Sequence, residues 1–185
     1  MSSLFKYYQG VVRPLLILKY NYCKVKEVPE VKKAEIRIFL KNLSGEEDWR
    51  AALGVKLLTI LTGQKSGVRK MGWSVESGRE RRYVFSCGVT LRKKNLNDFL
   101  EYLIVVVLPL YYRRYGYPQF SASSTGVYSI SIKDLGLFYR QSEDVIGFDG
   151  AIQISIVSNA KGEGECLTLM EGLGLPVKGK TVKEV

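Results

Sequence analysis

Five segments of this chain alternate apolar and polar residues with a period of two, which restricts the fold to a sheet with one buried and one wet face. In the first, Val31 to Lys41, Ile36, Ile38 and Leu40 fall on one side and Glu35, Arg37, Phe39 and Lys41 on the other. In the second, Val68 to Val75, Arg69, Met71, Trp73 and Val75 oppose Val68, Lys70, Gly72 and Ser74. The third sets Tyr83, Phe85, Cys87, Val89 and Leu91 against Val84, Ser86, Gly88, Thr90 and Arg92. In the fourth, Tyr128, Ile130 and Ile132 oppose Val127, Ser129, Ser131 and Lys133; in the fifth, Ile152, Ile154 and Ile156 oppose Gln153, Ser155 and Val157.

Between these strands lie helical spacings. Leu4, Tyr8, Val11, Leu15 and Leu18 form an apolar stripe at steps of four and three, with Pro14 expected to kink or split the helix. Ser44 and Glu47 have capping-box spacing and open a helix to Thr62, with Trp49, Leu53, Leu57, Ile60 and Leu61 buried and Gly63 closing it. A further helix is expected from Asn95 to Val107, stopped by Pro109, then a tyrosine-rich connection from Tyr111 to Tyr117 and a turn from Ser121 to Gly126. A short helix over Gly164 to Leu173 ends the pattern. The fold class predicted is α+β: helices on one face of a mostly antiparallel sheet, the other face open. The chain has 185 residues, 46% of them hydrophobic, which predicts one domain over residues 1–176 and a solvated basic tail over 177–185.

Charge is unevenly spread. From Gly63 to Lys94, nine Lys/Arg face Glu76 and Glu80, a net +7 of the chain's +10. Residues 134–176 carry seven acids against Arg140 and Lys161. A basic pole and an acidic pole imply a polyanion on one side and another partner opposite. If the apolar strand faces meet the helices, Arg37, Lys41, Lys70, Ser74, Thr90 and Arg92 share the open face, a set of donors and cations suited to phosphate and 2′-hydroxyl groups. The segment Glu76 to Arg82 holds no apolar anchor and reads as a projecting basic loop containing Gly78, Arg79, Arg81 and Arg82.

Enzymatic chemistry finds little support. The chain has no histidine, and Cys23, Cys87 and Cys166 lie far apart, so neither a CxxC metal site nor a Cys/His pair can form. No cofactor or metal is expected. Gly63-Gln-Lys-Ser66 fails as a phosphate-binding loop, because its lysine does not follow the glycine directly. Leu103 to Leu110 is too short for a membrane span, which needs about 20 residues. Five basic residues precede the first acid, Glu27, a composition that a transit peptide shares with an ordinary N-terminal helix, and the helix is the preferred reading.

Several short stretches together resemble one family. Leu4-Phe-Lys-Tyr-Tyr8, Lys19-Tyr-Asn-Tyr22, Glu27-Val-Pro-Glu-Val31, Leu61-Thr-Gly-Gln-Lys65, Val89-Thr-Leu-Arg92, Gly147-Phe-Asp149 and Ile154-Ser-Ile-Val-Ser-Asn-Ala-Lys161 follow the order and spacing of large-subunit ribosomal protein five, the 5S-rRNA-associated family. The resemblance runs over about residues 4–176 and is nearest to mitochondrial members from plants and protists. It implies a non-enzymatic structural constituent of the large subunit, seated at the central protuberance on 5S rRNA or its replacement. It further implies an rRNA face including Gln64, Lys65 and Thr90, and a loop from Ser77 to Arg82 (Ser77, Gly78, Arg79, Arg81, Arg82) that faces P-site tRNA. Neighbouring central-protuberance proteins and a basic protein of the small-subunit head would be its protein partners. The implied location is the mitochondrial matrix, with a bacterial or plastid ribosome as the alternative. From the residues alone, a free RNA- or anionic-surface-binding regulatory module stays open, to be separated by sedimentation with the large subunit after a high-salt wash.

Overall fold

The computed structural model of the chain describes residues 3–40, 47–76, 79–138 and 150–177. Six strands form one sheet in the order β2-β3-β1-β6-β5-β4, with every adjacent pair antiparallel. They are β1 Val31–Leu40, β2 Gly67–Glu76, β3 Arg79–Leu91, β4 Gln119–Ala122, β5 Val127–Ile132 and β6 Gly150–Ser158. Ala34, Ile36 and Ile38 of β1, Cys87 and Leu91 of β3, Tyr128, Ile130 and Ile132 of β5 and Ile152, Ile154 and Ile156 of β6 are all fully buried on one face. The helices α3 (Glu47–Thr62), α4 (Lys93–Tyr102) and α6 (Glu163–Gly172) pack against that face.

Pro14 and Pro109 both stand at an interruption of their helices. The N-terminal helix runs as α1 (Ser3–Tyr7), a π-turn over Tyr8–Val12 and α2 (Arg13–Tyr20), while α4 passes through a π-turn over Leu103–Val107 into α5 (Leu108–Tyr115). Pro14 and Pro109 each stand in the first two positions after their π-turn. There Arg13 N–H reaches Tyr8 O and Leu108 N–H reaches Leu103 O, a five-residue step that widens the turn just ahead of the proline ring. The clash that normally breaks a helix is thus relieved. Pro109 does not stop the helix, which continues through the segment predicted as a connection to Gly116, at φ +74°.

The same insertion rotates the N-terminal helix. Leu4 and Tyr8 contact the core as expected, but beyond the π-turn the buried residues are Val12 and Leu16, leaving Val11, Leu15 and Leu18 exposed. In α3, Leu57 is buried as expected, whereas Leu58 takes the place given to Ile60, which is 60% exposed. Trp49 and the capping Ser44 fall outside the described side chains. Gly63, at φ +63° and with its N–H on Thr59 O, closes α3. The sequence pattern contains no sign of β4: Ser121 and Ala122 pair with Ser129 and Tyr128, and the turn begins only at Ser123. Gly126 in that turn has φ +75°, and a Cβ there would sit 2.7 Å from Ala160 O, so only glycine fits.

Candidate nucleic-acid interface

Residues directly opposite in an antiparallel ladder project to the same side, so the pairing assembles the open face row by row. One row joins Thr90, Glu35, Ser155, Ser129 and Ser121; the next joins Gly67, Gly88, Arg37, Gln153, Ser131 and Gln119. Flanking them are Arg69, Ser86, Phe39 and Ala151 on one side and Lys33, Val157 and Val127 on the other. The Ser129 and Ser155 hydroxyls touch at 3.0 Å. Beside Arg37 the ladder is bare, because Gly67 and Gly88 carry no side chain to cover their backbone. The result is a surface of hydroxyls and amides, free of helices among the described residues, with its cations at the β1 strand.

Those cations are partly neutralised. Lys33 Nζ lies 2.7 Å from Glu35 Oε1, and Arg37 Nη2 lies 2.9 Å from Glu35 Oε2. The Lys33 hydrogen bond is the main reason that the Glu35 carboxyl is held below the usual carboxylate range, against the opposing effect of burial; the Arg37 contact adds to it. Arg37 engages Glu35 through one of its nitrogens and retains donors for an incoming anion. Phe39, 41% exposed, offers a ring against which a base can stack. Lys33, Phe39, Gln153 and the serines were absent from the sequence-based site, although their parity with Arg37 signals them.

Gln64 and Lys65 are exposed in the short link between α3 and β2. The link is held at both ends: Thr62 Oγ1 donates to Leu58 O at 2.7 Å, and Ser66 Oγ donates to Val55 O at 3.0 Å. Lys65 stands two residues before Gly67, in line with Thr90 by continuation of the register. Arg92 is exposed just beyond the last β1–β3 pair, Ala34 with Leu91, and serves as the N-cap position of α4 rather than as part of the sheet face.

β2 departs from regular alternation. Gly67 and Arg69 pair with Gly88 and Ser86, Val68 pairs with the buried Cys87, and Lys70 pairs with Val84, which has the parity of Ser86 and Gly88 on β3. The reading from sequence assumed unbroken alternation, whereas the register shifts between Arg69 and Lys70 and again between Lys70 and Trp73. The projecting loop is also largely a paired ribbon. Glu76 pairs with Arg79, Ser74 with Arg81 and Trp73 with Arg82, which leaves two residues between the strands. Those two, Ser77 and Gly78, lie outside the described residues, as does Lys41. So do Glu143, Asp144 and Asp149 of the acidic stretch. Among its described acids, Asp134 is 3.6 Å from Arg114 Nη1 and accepts from Gly136 N–H and Tyr115 Oη. No helix among the described residues is long and apolar enough to cross a membrane.

Residues 84–177 match the family model for the C-terminal part of large-subunit ribosomal protein five. Similarity to curated proteins extends over nearly the whole chain. It is 32% identical over 181 residues to large ribosomal subunit protein uL5m of Reclinomonas americana, covering 96% of this chain and 98% of that protein. It is 30% identical over 179 residues to large ribosomal subunit protein uL5 of Buchnera aphidicola subsp. Baizongia pistaciae, covering 96% and 99%. The corresponding protein of Chlorobium chlorochromatii is 28% identical over 181 residues, covering 97% and 92%.

Proposed function

Since the chain belongs to the family of large-subunit ribosomal protein five, and with it to the non-enzymatic, rRNA-binding constituents of the large ribosomal subunit, we propose that it holds its rRNA on the open sheet face at the central protuberance. The observation that carries this reading is the pair of ladder rows bringing Thr90, Glu35 and Arg37 together with Gln153, Ser129, Ser131 and Ser155 on a surface that is free of helices among the described residues. Lys33, Arg37 and Lys65 meet phosphates, Gln64 and the hydroxyls meet riboses and base edges, and Arg69 joins Lys70 as the β2 contribution. Lys41 and Arg92 extend the basic margin. The ribbon end, from Ser77 to Arg82, reaches P-site tRNA. The acidic segment turns away from RNA toward a basic protein of the small-subunit head.

The domain extends to Pro176, a reading supported by the buried Tyr128, whose hydroxyl donates to Pro176 O at 2.6 Å. We assign it to a mitochondrial ribosome, in keeping with the similarity to uL5m of Reclinomonas americana, with a bacterial ribosome as the alternative that the similarity to uL5 of Buchnera aphidicola subsp. Baizongia pistaciae equally suits; fractionation of the source cell tests that location directly.

The test of the face is the double variant Arg37→Glu, Lys65→Glu. Both positions are at least partly exposed, so the melting temperature should move little, while binding to large-subunit rRNA and entry into the subunit should be lost. A variant that still assembles at the normal level rejects the face. For the unmodified chain, log affinity for the rRNA fragment should fall with log salt at a slope of about −3 to −6, as roughly four to eight phosphate contacts require.

A further inference from the structure

Between the N-terminal helix and the segment leading into β1 lies a groove of about 420 Å³ that the open sheet face does not use. Phe5, Tyr8 and Arg13 line it from the helix, and Val25, Lys26 and Lys32 line it from the segment. Its two walls are pinned together: the Tyr8 hydroxyl donates to Pro29 O at 2.8 Å, and Val28 and Pro29 are buried.

The π-turn supplies the charge on the helix wall. In an unbroken α-helix a residue five positions on stands about 140° around the axis, so Arg13 would point away from the side of Tyr8. Across Tyr8–Val12 the Arg13 N–H instead bonds to Tyr8 O, which winds Arg13 back toward Tyr8 and into the groove. On the facing wall, Lys26 is exposed on the 3₁₀ turn Val25–Glu27. Lys32 enters where the β1–β6 register shifts between Val31 and Lys33, so that Lys32 lines the groove while its neighbour Lys33 belongs to the open face. The one acid in the lining, Glu30, is paired with Lys32. Arg13 and Lys26 have no acid within ion-pair distance among the described residues, and a cleft lined by cations of this kind concentrates anions.

We propose that this groove is a phosphate site for large-subunit rRNA, separate from the open face. Arg13 and Lys26 hold a phosphodiester group, and the half-buried rings of Phe5 and Tyr8 pack against the sugar or base attached to it. The inference rests on the chain being a constituent of the large subunit. An acidic protein helix is about 10–12 Å across with its side chains, too thick to enter a groove of this volume, whereas one nucleotide enters it. The succession of Lys33 and Lys32 also carries positive charge from the open face to the groove, a path that suits one continuous polyanion.

A photo-crosslinking amino acid in place of Val25, which is 70% exposed on the groove wall, tests the proposal in the full chain assembled into purified large subunits. The expected product is a crosslink to rRNA at one site. Arg13→Gln combined with Lys26→Gln should lower that yield several-fold. For the isolated chain on purified large-subunit rRNA, the same pair should make the log-log salt slope shallower by about 1.4, at about 0.7 for each lost phosphate contact. The melting temperature should stay near that of the unmodified chain; if the double variant does not fold, Lys26→Gln alone, at an exposed position, carries the test with a slope change of about 0.7. A crosslink to a protein segment, the absence of any crosslink, or a yield and slope that the variants leave unchanged overturns the proposal. A chain missing from purified subunits would instead overturn the functional reading, and this inference with it.

Discussion

On the proposed rRNA face, Glu35 offsets the charge of both Lys33 and Arg37. Replacing it with glutamine leaves the row in place and frees two cations, so binding to an rRNA fragment at low salt should tighten several-fold and the salt slope should steepen by about one. Filter binding across a salt series measures both. A companion effect belongs to folding. The Glu35 pKa is lowered in the folded chain, so its stabilising contribution is present above the ordinary carboxylate value, about 4.3, and is lost as pH falls through the lowered folded value. The melting temperature of Glu35→Gln should therefore lie below that of the unmodified chain near neutrality, and the two should converge as pH falls, which flattens the acid limb of the variant's profile. The thiols allow a separate check at this scale. Burial pushes the Cys87 thiol up to about 11 and raises that of Cys166, while Cys23 is exposed. A thiol reagent at pH 8 should modify one cysteine quickly and the other two only when the chain unfolds.

At the level of elements, the π-turns explain both how the helices tolerate proline and where sequence patterns mislead. A π-turn contains one residue more than the α-turn it replaces, so deleting Val105, 67% exposed within the second π-turn, should restore α geometry and bring Pro109 against a carbonyl. Urea melts should show the deletion costing about 3 kcal/mol, Pro109→Ala costing about 1 kcal/mol or less, and the combined variant recovering much of the deletion's loss. Equal losses in the deletion and the combined variant would mean that the extra residue serves packing and not the proline. The strands that cross the centre of the sheet were legible in the sequence because burial on one side writes Ile36 and Ile38, Ile130 and Ile132, and Ile152, Ile154 and Ile156 at every second position. The extra residues of the π-turns leave no mark of their own, so the stripe of Val11, Leu15 and Leu18 pointed to the wrong side. The short edge strand β4 gave too few residues for a period, and the register shifts of β2, between Arg69 and Lys70 and between Lys70 and Trp73, leave no mark in its alternation. That Arg37 and Thr90 share a face was legible because both sit on regular ladder; the cost of placing Glu35 between Lys33 and Arg37 appears only once the side chains have distances.

Across the whole molecule, the sheet separates two kinds of contact. The open face is built from the middle of β1, β3, β5 and β6, each paired on both sides, and is therefore a rigid surface suited to a permanent partner. The outer end of the β2–β3 ribbon is different: there β2 is an edge strand, and the pairing runs out to Glu76 and Arg79. Three arginines within four residues on such an arm suit a phosphate backbone that arrives and leaves. Substituting Arg79, Arg81 and Arg82 with glutamine should thus leave subunit assembly and the melting temperature near those of the unmodified chain, since the rows proposed to hold rRNA lie elsewhere. Dissociation of P-site tRNA from the variant ribosomes should become faster, by several-fold if each lost phosphate contact is worth a few tenths of a kcal/mol at physiological salt. Replacing Ser77-Gly78 with Asn-Gly serves as the control, because that pair closes a two-residue hairpin and retains all three arginines. It should leave both assembly and tRNA dissociation unchanged. An arginine variant that fails to assemble, with tRNA dissociation normal in the few subunits that form, would mean that the ribbon grips rRNA, and the division of labour between face and arm would have to be abandoned.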